Sequence, residues 1–230
     1  MKSDWKKANR TLLYLLLAGA FQAGSAGQNA AVYEVDADAS RADILVFKGG
    51  KLARFGHDHV ISTTTINGSV FVTSSFSDST AELEVPLDTL EVDREELRKK
   101  YGMDSKLSRS AKMGTRKNML DKVLETTDWP QVSISISVIE TTPENPVLNI
   151  TFNLRDVKQE FKLPVSLQII GDQLHVAGTF GLLQTDYGIK PFSRMAGALR
   201  VEDGVEVRFD LVANRQHPDP GGDQVESSGE

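Results

Sequence analysis

From Val132 the chain alternates apolar and polar residues with a period of two: Val132, Ile134, Ile136 and Val138 are interleaved with Ser133, Ser135 and Ser137. Successive side chains of a strand point to opposite faces, so the pattern describes a strand with one buried and one wet side. Leu148, Ile150, Phe152 and Leu154 repeat it against Asn149, Thr151 and Asn153. Phe161, Leu163, Val165, Leu167 and Ile169 follow, with Pro164 marking an edge or a bulge. Leu174, Val176, Gly178, Phe180 and Leu182 form a further run, as do Val205, Val207, Phe209 and Leu211. Gly171-Asp172 and Asp203-Gly204 supply turn chemistry between them. Shorter strands are expected over 32–35, 44–47, 60–65, 69–73 and 81–87. Nine or ten one-sided strands predict a single antiparallel sheet curled into an all-β barrel or sandwich.

Residues 93–127 interrupt this pattern with a short helical insertion. In DREELRKK, Glu95 and Lys99, and Glu96 and Lys100, have the i,i+4 spacing of an exposed helix. TRKNMLDKVLET places Met119, Leu120, Val123 and Leu124 on one stripe, which predicts a second helix packed on the barrel. The intervening GMDSKLSRSAKMG reads as loop.

The N-terminus reads as an address. A basic stretch, MKSDWKKANR, precedes an apolar core over 12–21 and the small residues of QAGSAGQ, the order of a secretory signal peptide covering residues 1–27. Cleavage between Ala26 and Gly27, or one residue to either side, gives a mature chain starting near Gly27 or Gln28 with no cysteine for a lipid anchor, and the whole chain has none. Disulfides, thiol catalysis and thiolate metal sites are thereby excluded. The expectation is a soluble exported protein, periplasmic in a Gram-negative source. The barrel would occupy 28–216, and the Pro-, Gly- and acid-rich 217–230 should be a disordered tail. Net charge is -6, with no basic stripe interleaved with aromatics, which argues against nucleic-acid binding.

No GxSxG elbow, HExxH, P-loop or GxGxxG after a strand is present, so no catalytic residues are assigned. Asp186 and Tyr187 read as part of a loop closing two strands. The inward-facing runs nominate Val132, Ile134, Ile136, Ile150, Phe152, Val165, Leu167, Val176, Phe180 and Phe209 as interior residues. An eight-stranded barrel either fills with such side chains or encloses one small ligand. A ligand held there would be apolar, because no charged cluster lies on those faces. GHDHV is the one polar constellation. His57 and His59 share a face of an extended segment and admit three readings: a strand start capped by Asp58, contact with a ligand headgroup, or two ligands of a metal site that lacks a third. No metal ligand is assigned.

YEVDADAS, GHDHVI, RKNML followed by VLETTDWPQVSISI, NLRDVKQEFKLPV and TDYGIKPFSRMAGALRVEDGVEVRFDL, in this order over about residues 32–214, resemble the YceI-like family. The resemblance implies a lipocalin-like antiparallel β-barrel whose elongated interior holds a polyisoprenoid lipid in the family's exported, lipid-bound members. It implies no cofactor other than such a lipid, and lipid exchange would call for transient contact with a membrane or a membrane protein. Burying a tail of about 40 carbons from water would nominally release more than ~30 kcal/mol. Non-covalent affinity saturates near roughly 18–21 kcal/mol, so the competing home is a bilayer, from which transfer is nearly neutral. The expected function is therefore carriage or storage of an isoprenoid-type lipid, with a histidine-dependent metal-binding or redox-accessory protein as the alternative.

Overall fold

The computed structural model describes residues 30–103, 105–140 and 145–217. The expected signal peptide and, from residue 218, the expected tail lie outside the described residues. The one-sided runs form the wall of a β-barrel. Its first strands are β1 (Ala31–Val35), β2 (Arg41–Gly49), β3 (His59–Thr63), β4 (Asn67–Val72), β5 (Thr80–Pro86) and β6 (Glu91–Val92). After two helices come β7 (Gln131–Glu140), β8 (Val147–Leu154), β9 (Val157–Pro164), β10 (Ser166–Ile170), β11 (Gln173–Leu183), β12 (Ser193–Arg194) and β13 (Leu199–Arg215). Every ladder among them is antiparallel.

The long β13 organises the sheet. One edge pairs with β11 from Leu183↔Gly204 to Gln173↔Asn214. The other edge pairs first with β2 and then with β1. From β1 the sheet continues through β4, β5, β7 and β8 to β9. Asp203-Gly204 is not the turn expected from sequence: β13 runs through it, and a register shift between Val201 and Val205 absorbs the irregularity. Gly171-Asp172 is a two-residue hairpin, with Ile170 opposite Gln173 and Gly171 at φ 60°.

The single strand expected around Pro164 is two. Up to Pro164 the chain pairs with β8; beyond Val165 it pairs with β11. Val165 N still donates to Pro146 O at 3.1 Å, so Pro164 lies at a position whose N–H would point away from β8, where a residue with none is tolerated, and the partner changes just beyond. The chain itself thus carries the wall around, and among the described residues no ladder joins β9 to β11. The seam between them is crossed by ring packing of Phe161 on Phe180 at 5.1 Å. Gln159 Nε2 also donates to the Asp186 carbonyl at 3.1 Å. Lys158, Glu160 and Lys162 alternate on the exposed face of β9, charges that discourage pairing with another chain. Ile169, expected inside, is 48% exposed although Leu174 opposite it is buried, because among the described residues β10 pairs only with β11 and its other edge is uncovered.

The helical insertion has a different internal division from the expected one. Helix α1 spans Glu95–Lys100, and α2 spans Arg109–Asn118, so it begins inside the stretch read as loop. Ser108 caps it, its Oγ accepting from the Ala111 amide at 3.2 Å. A π-turn over Met119–Val123 continues it, Leu124 N donating to Met119 O at 2.8 Å. The expected stripe packs inward: Met119 and Leu120 are buried and Val123 and Leu124 pack against the main core. The expected i,i+4 pairs do not form on α1. Lys100 instead reaches Asp43 of β2 at 3.3 Å, and Glu96 pairs with Arg94 at 2.6 Å. A buried carboxylate offers Lys100 a stronger partner than an exposed glutamate does. Among the described residues no helix is long and apolar enough to cross a membrane.

Candidate ligand-binding site

Alternation along the strands sends one set of side chains to the barrel axis, and these surround a cavity of about 660 Å³ rather than meeting in a filled core. That volume lies within the roughly 300–1,000 Å³ of small-molecule sites. Val132, Ile134, Ile136, Ile150, Phe152, Leu167, Val176, Phe180 and Phe209 all line it. Val165 does not: it is 3% exposed, sits at the bend and approaches Gly178. The wall is uneven in its packing. Ile150 and Phe152 are buried, whereas Ile134, Ile136, Val176, Phe180 and Phe209 face inward yet are only half-buried. Apolar side chains that point into a barrel and still meet solvent mark space that no other side chain fills.

An aromatic cluster closes the wall beside the seam. Phe180 lies 6.1 Å from Phe152 and 6.3 Å from Phe209, and Phe152 lies 5.7 Å from Tyr187 in an edge-on contact. Tyr187 follows Asp186 in a 3-10 turn over Gln184–Tyr187 and is 2% exposed. Burial, with the neighbouring Asp186 charge, pushes its phenol up to about 12. Gly178 makes room for this cluster, since a Cβ there would lie 2.7 Å from Phe209 Cζ.

His57 and His59 also line the cavity, but they have separate environments. His57 is exposed. His59 Nδ1 lies 2.6 Å from Oδ2 of Asp93, a carboxylate with no exposed surface. Arg98 Nη1 donates to Asp93 Oδ1 at 2.7 Å and to Asp58 O at 2.8 Å. Its Nη2 donates to Met103 O at 3.1 Å, Ser105 O at 3.0 Å and Ser105 Oγ at 2.8 Å. Val60 N donates to Asp93 Oδ1 at 3.2 Å, which completes a knot between β3, α1 and the chain leading to α2. Burial works to raise the Asp93 carboxyl, but His59, Arg98 and the Val60 amide together hold it below its ordinary value. Asp58 does not cap its own turn. It accepts from the Lys48 amide at 2.9 Å and so ties the GHDHV segment to β2. Among the described residues no group of three or more His, Cys, Asp or Glu side chains is placed to hold a metal ion.

Sequence reasoning missed the rim. Lys48, Phe55, Phe192, Arg194, Leu199 and Arg200 line the cavity at one end, together with Leu107, Ala111, Gly114 and Thr115 of the insertion. Phe55 lines the cavity while 63% exposed, so the cavity opens there. The two rim loops are tied together by Leu52 N donating to Ala198 O at 2.8 Å.

The sequence profile of the YceI-like domain matches residues 33–213. The chain belongs to the YceI-like family. No curated protein sequence matches it. Solved structures share the fold, two of them with a TM-score above 0.5 among those compared. BcnA of Burkholderia cenocepacia is 11% identical, with a TM-score of 0.58 over 78% of this chain and 99% of that one. A polyisoprenoid binding domain from Saccharophagus degradans, described as implicated in plant cell wall breakdown, is 15% identical, with a TM-score of 0.55 over 80% and 98%. In this YceI-like barrel, GHDHV supplies the rim and the start of β3, RKNML ends α2 and opens the π-turn, and TDYGIKPF forms the buried 3-10 turn and the approach to the rim.

Proposed function

We propose that this protein is an exported, non-catalytic carrier or store for one isoprenoid-type lipid, such as a polyprenyl or quinone-like chain, with the tail in the barrel. The observation that carries the reading is the cavity itself: Val, Ile, Leu and Phe side chains of the strands line an unfilled interior, and the cationic side chains that border it, Lys48, Arg194 and Arg200, lie at the rim. A long hydrocarbon is matched by such a wall and a sugar or nucleotide is not, because polar groups brought there would lose their water without gaining partners. Membership of the YceI-like family and the fold shared with a polyisoprenoid binding domain support the same choice. Ile134, Ile136, Ile150, Phe152, Val176, Phe180 and Phe209 would contact the tail, while His57 and His59 stand near the opening, where a headgroup would lie. The test is mass spectrometry of an organic extract of protein expressed in its native membrane background and purified without detergent. An isoprenoid lipid in near-stoichiometric amount is expected. An extract holding no apolar lipid would reject the reading.

A further inference from the structure

The charge of this chain is segregated. Three stretches contribute lining to the cavity: residues 48–57, 105–117 and 190–200. Together they contain eleven of the 26 Lys and Arg residues and none of the 32 Asp and Glu residues. The rest of the chain therefore holds 15 cations against 32 carboxylates. Their lining residues are Lys48 and Phe55, Leu107 and Thr115 of the insertion, and Phe192 and Arg194. Some of the cations are already engaged. Lys48 lies 3.8 Å from Asp58, Lys117 2.5 Å from Asp121 and Arg200 3.6 Å from Glu202. Arg116 is turned to the backbone, its Nε donating to Leu90 O at 2.8 Å. Among the described residues Lys51, Arg54, Lys106, Arg109, Lys112, Lys190 and Arg194 form no ion pair.

The same three stretches present large apolar side chains to solvent. Met195, Phe55 and Met113 are 70%, 63% and 62% exposed, the highest values among the exposed large hydrophobic residues, and each belongs to one of the three cationic stretches. Arg54 lies over the Phe55 ring at 4.7 Å, and Arg194 lies over the Phe192 ring at 5.6 Å. Met195 and Ala196 are held at φ 52° each, a conformation that costs a non-glycine residue energy. Apolar tips beside cationic heads are the chemistry of an interface between hydrocarbon and anionic headgroups.

We propose that the cavity mouth, formed by the loops carrying Phe55 and Met195 and by α2, is a docking surface for an anionic bilayer. Phe55, Met195 and Met113 enter the headgroup boundary, while Lys51, Arg54 and Arg194 meet lipid phosphates and carboxylates. Docked in this way, the opening faces the leaflet, and a tail can pass between bilayer and barrel without crossing water. The remaining surface, rich in carboxylates, is repelled by the same leaflet and so fixes the orientation. This inference deepens the lipid-carrier reading and rests on it for its purpose. Its test requires no cargo, so the two can fail separately.

The test is vesicle flotation with the purified protein at about 0.1 M salt, comparing phosphatidylcholine vesicles with vesicles containing about one-third phosphatidylglycerol. Binding is expected only to the anionic vesicles and should weaken as salt is raised. Each cation near such a surface contributes about fivefold in partition, so R54Q/R194Q should bind about 25-fold more weakly. K162Q/R215Q, which removes the same charge from exposed positions outside the three stretches, should bind like wild type. F55S/M195S should lose binding with no change in melting temperature, because both side chains are already solvated. Equal loss in the two charge variants, equal binding to both vesicle types, or no binding to anionic vesicles would overturn the proposal. Displacement by inorganic phosphate at constant ionic strength would overturn it in favour of a soluble anion.

Discussion

Replacing Asp93 by Asn removes one charge from the most enclosed polar cluster among the described residues and leaves its shape nearly unchanged. Asn also tolerates the left-handed backbone of this position, where φ is 58°, so the substitution isolates the charge. Arg98, 5% exposed, would lose its carboxylate at 2.7 Å. Breaking a buried pair costs about 3–5 kcal/mol. The lower end applies here, about 3 kcal/mol, because the guanidinium keeps the carbonyls of Asp58, Met103 and Ser105 as acceptors. For a domain of this size that corresponds to a fall in melting temperature of about 6–12 °C at neutral pH, read by circular dichroism. The pH dependence follows from the lowered carboxyl of Asp93. A group whose folded-state value is depressed stabilises the fold fully above its unfolded value, and that contribution is lost as pH falls through the folded one. The gap between wild type and D93N should therefore be complete above roughly pH 4 and close as pH falls further. A double-mutant cycle with R98M should return a coupling above about 1 kcal/mol. A neutral-pH loss below about 1 kcal/mol, or a gap that widens in acid, would show that the backbone carbonyls alone satisfy Arg98.

Other perturbations probe the interior and the histidines. Phe180→Asp places an unpaired charge in the cavity wall and should abolish lipid retention; Phe152→Asp, at a 9% exposed position, should unfold the barrel as well. Wild-type retention and melting in both would reverse the assignment of inward faces. Gly178→Ala drives Phe209 toward the cavity, and because the ring can swing into open space its stability cost should stay within about 1 kcal/mol while extracted lipid per protein falls. Isothermal calorimetry with Zn²⁺ at neutral pH should show no stoichiometric uptake, since Asp93 engages His59 and no third ligand adjoins His57 among the described residues. One-to-one binding lost in H57A/H59A would establish the metal reading instead.

The barrel was legible because a one-sided sheet imprints its period on the chain, and Val132 to Val138 or Leu148 to Leu154 could adopt few other structures. What escaped was local competition and distant contact. Residues 109–114 looked like loop because Ser110 and Gly114 mask a helix that Ser108 caps and the π-turn anchors. Asp203-Gly204 has hairpin composition, yet β13 carries both of its neighbours past it. The cavity wall could be named from alternation, but Val165 could not be separated from its neighbours, since the bend that removes it from the wall is a property of two ladders. Asp93 meets His59 across 34 positions, and no spacing rule reaches that far. The rim was hidden in an averaged net charge of -6, although the three acid-free stretches are visible once counted separately.

The seam between β9 and β11 leaves the girth of this barrel to side-chain packing. In a wall sealed by ladders, widening by one chain diameter would unpair a backbone N–H and a carbonyl at nearly every step, and each would need a new partner. Here the boundary is spanned by the Phe161 and Phe180 rings and by one side-chain amide, contacts that slide and re-form without orphaning backbone groups. At the bend around Val165 the chain is continuous, so the two sides stay tied at that end. In a wall built in this way the circumference at the seam is set by side-chain packing rather than by strand number.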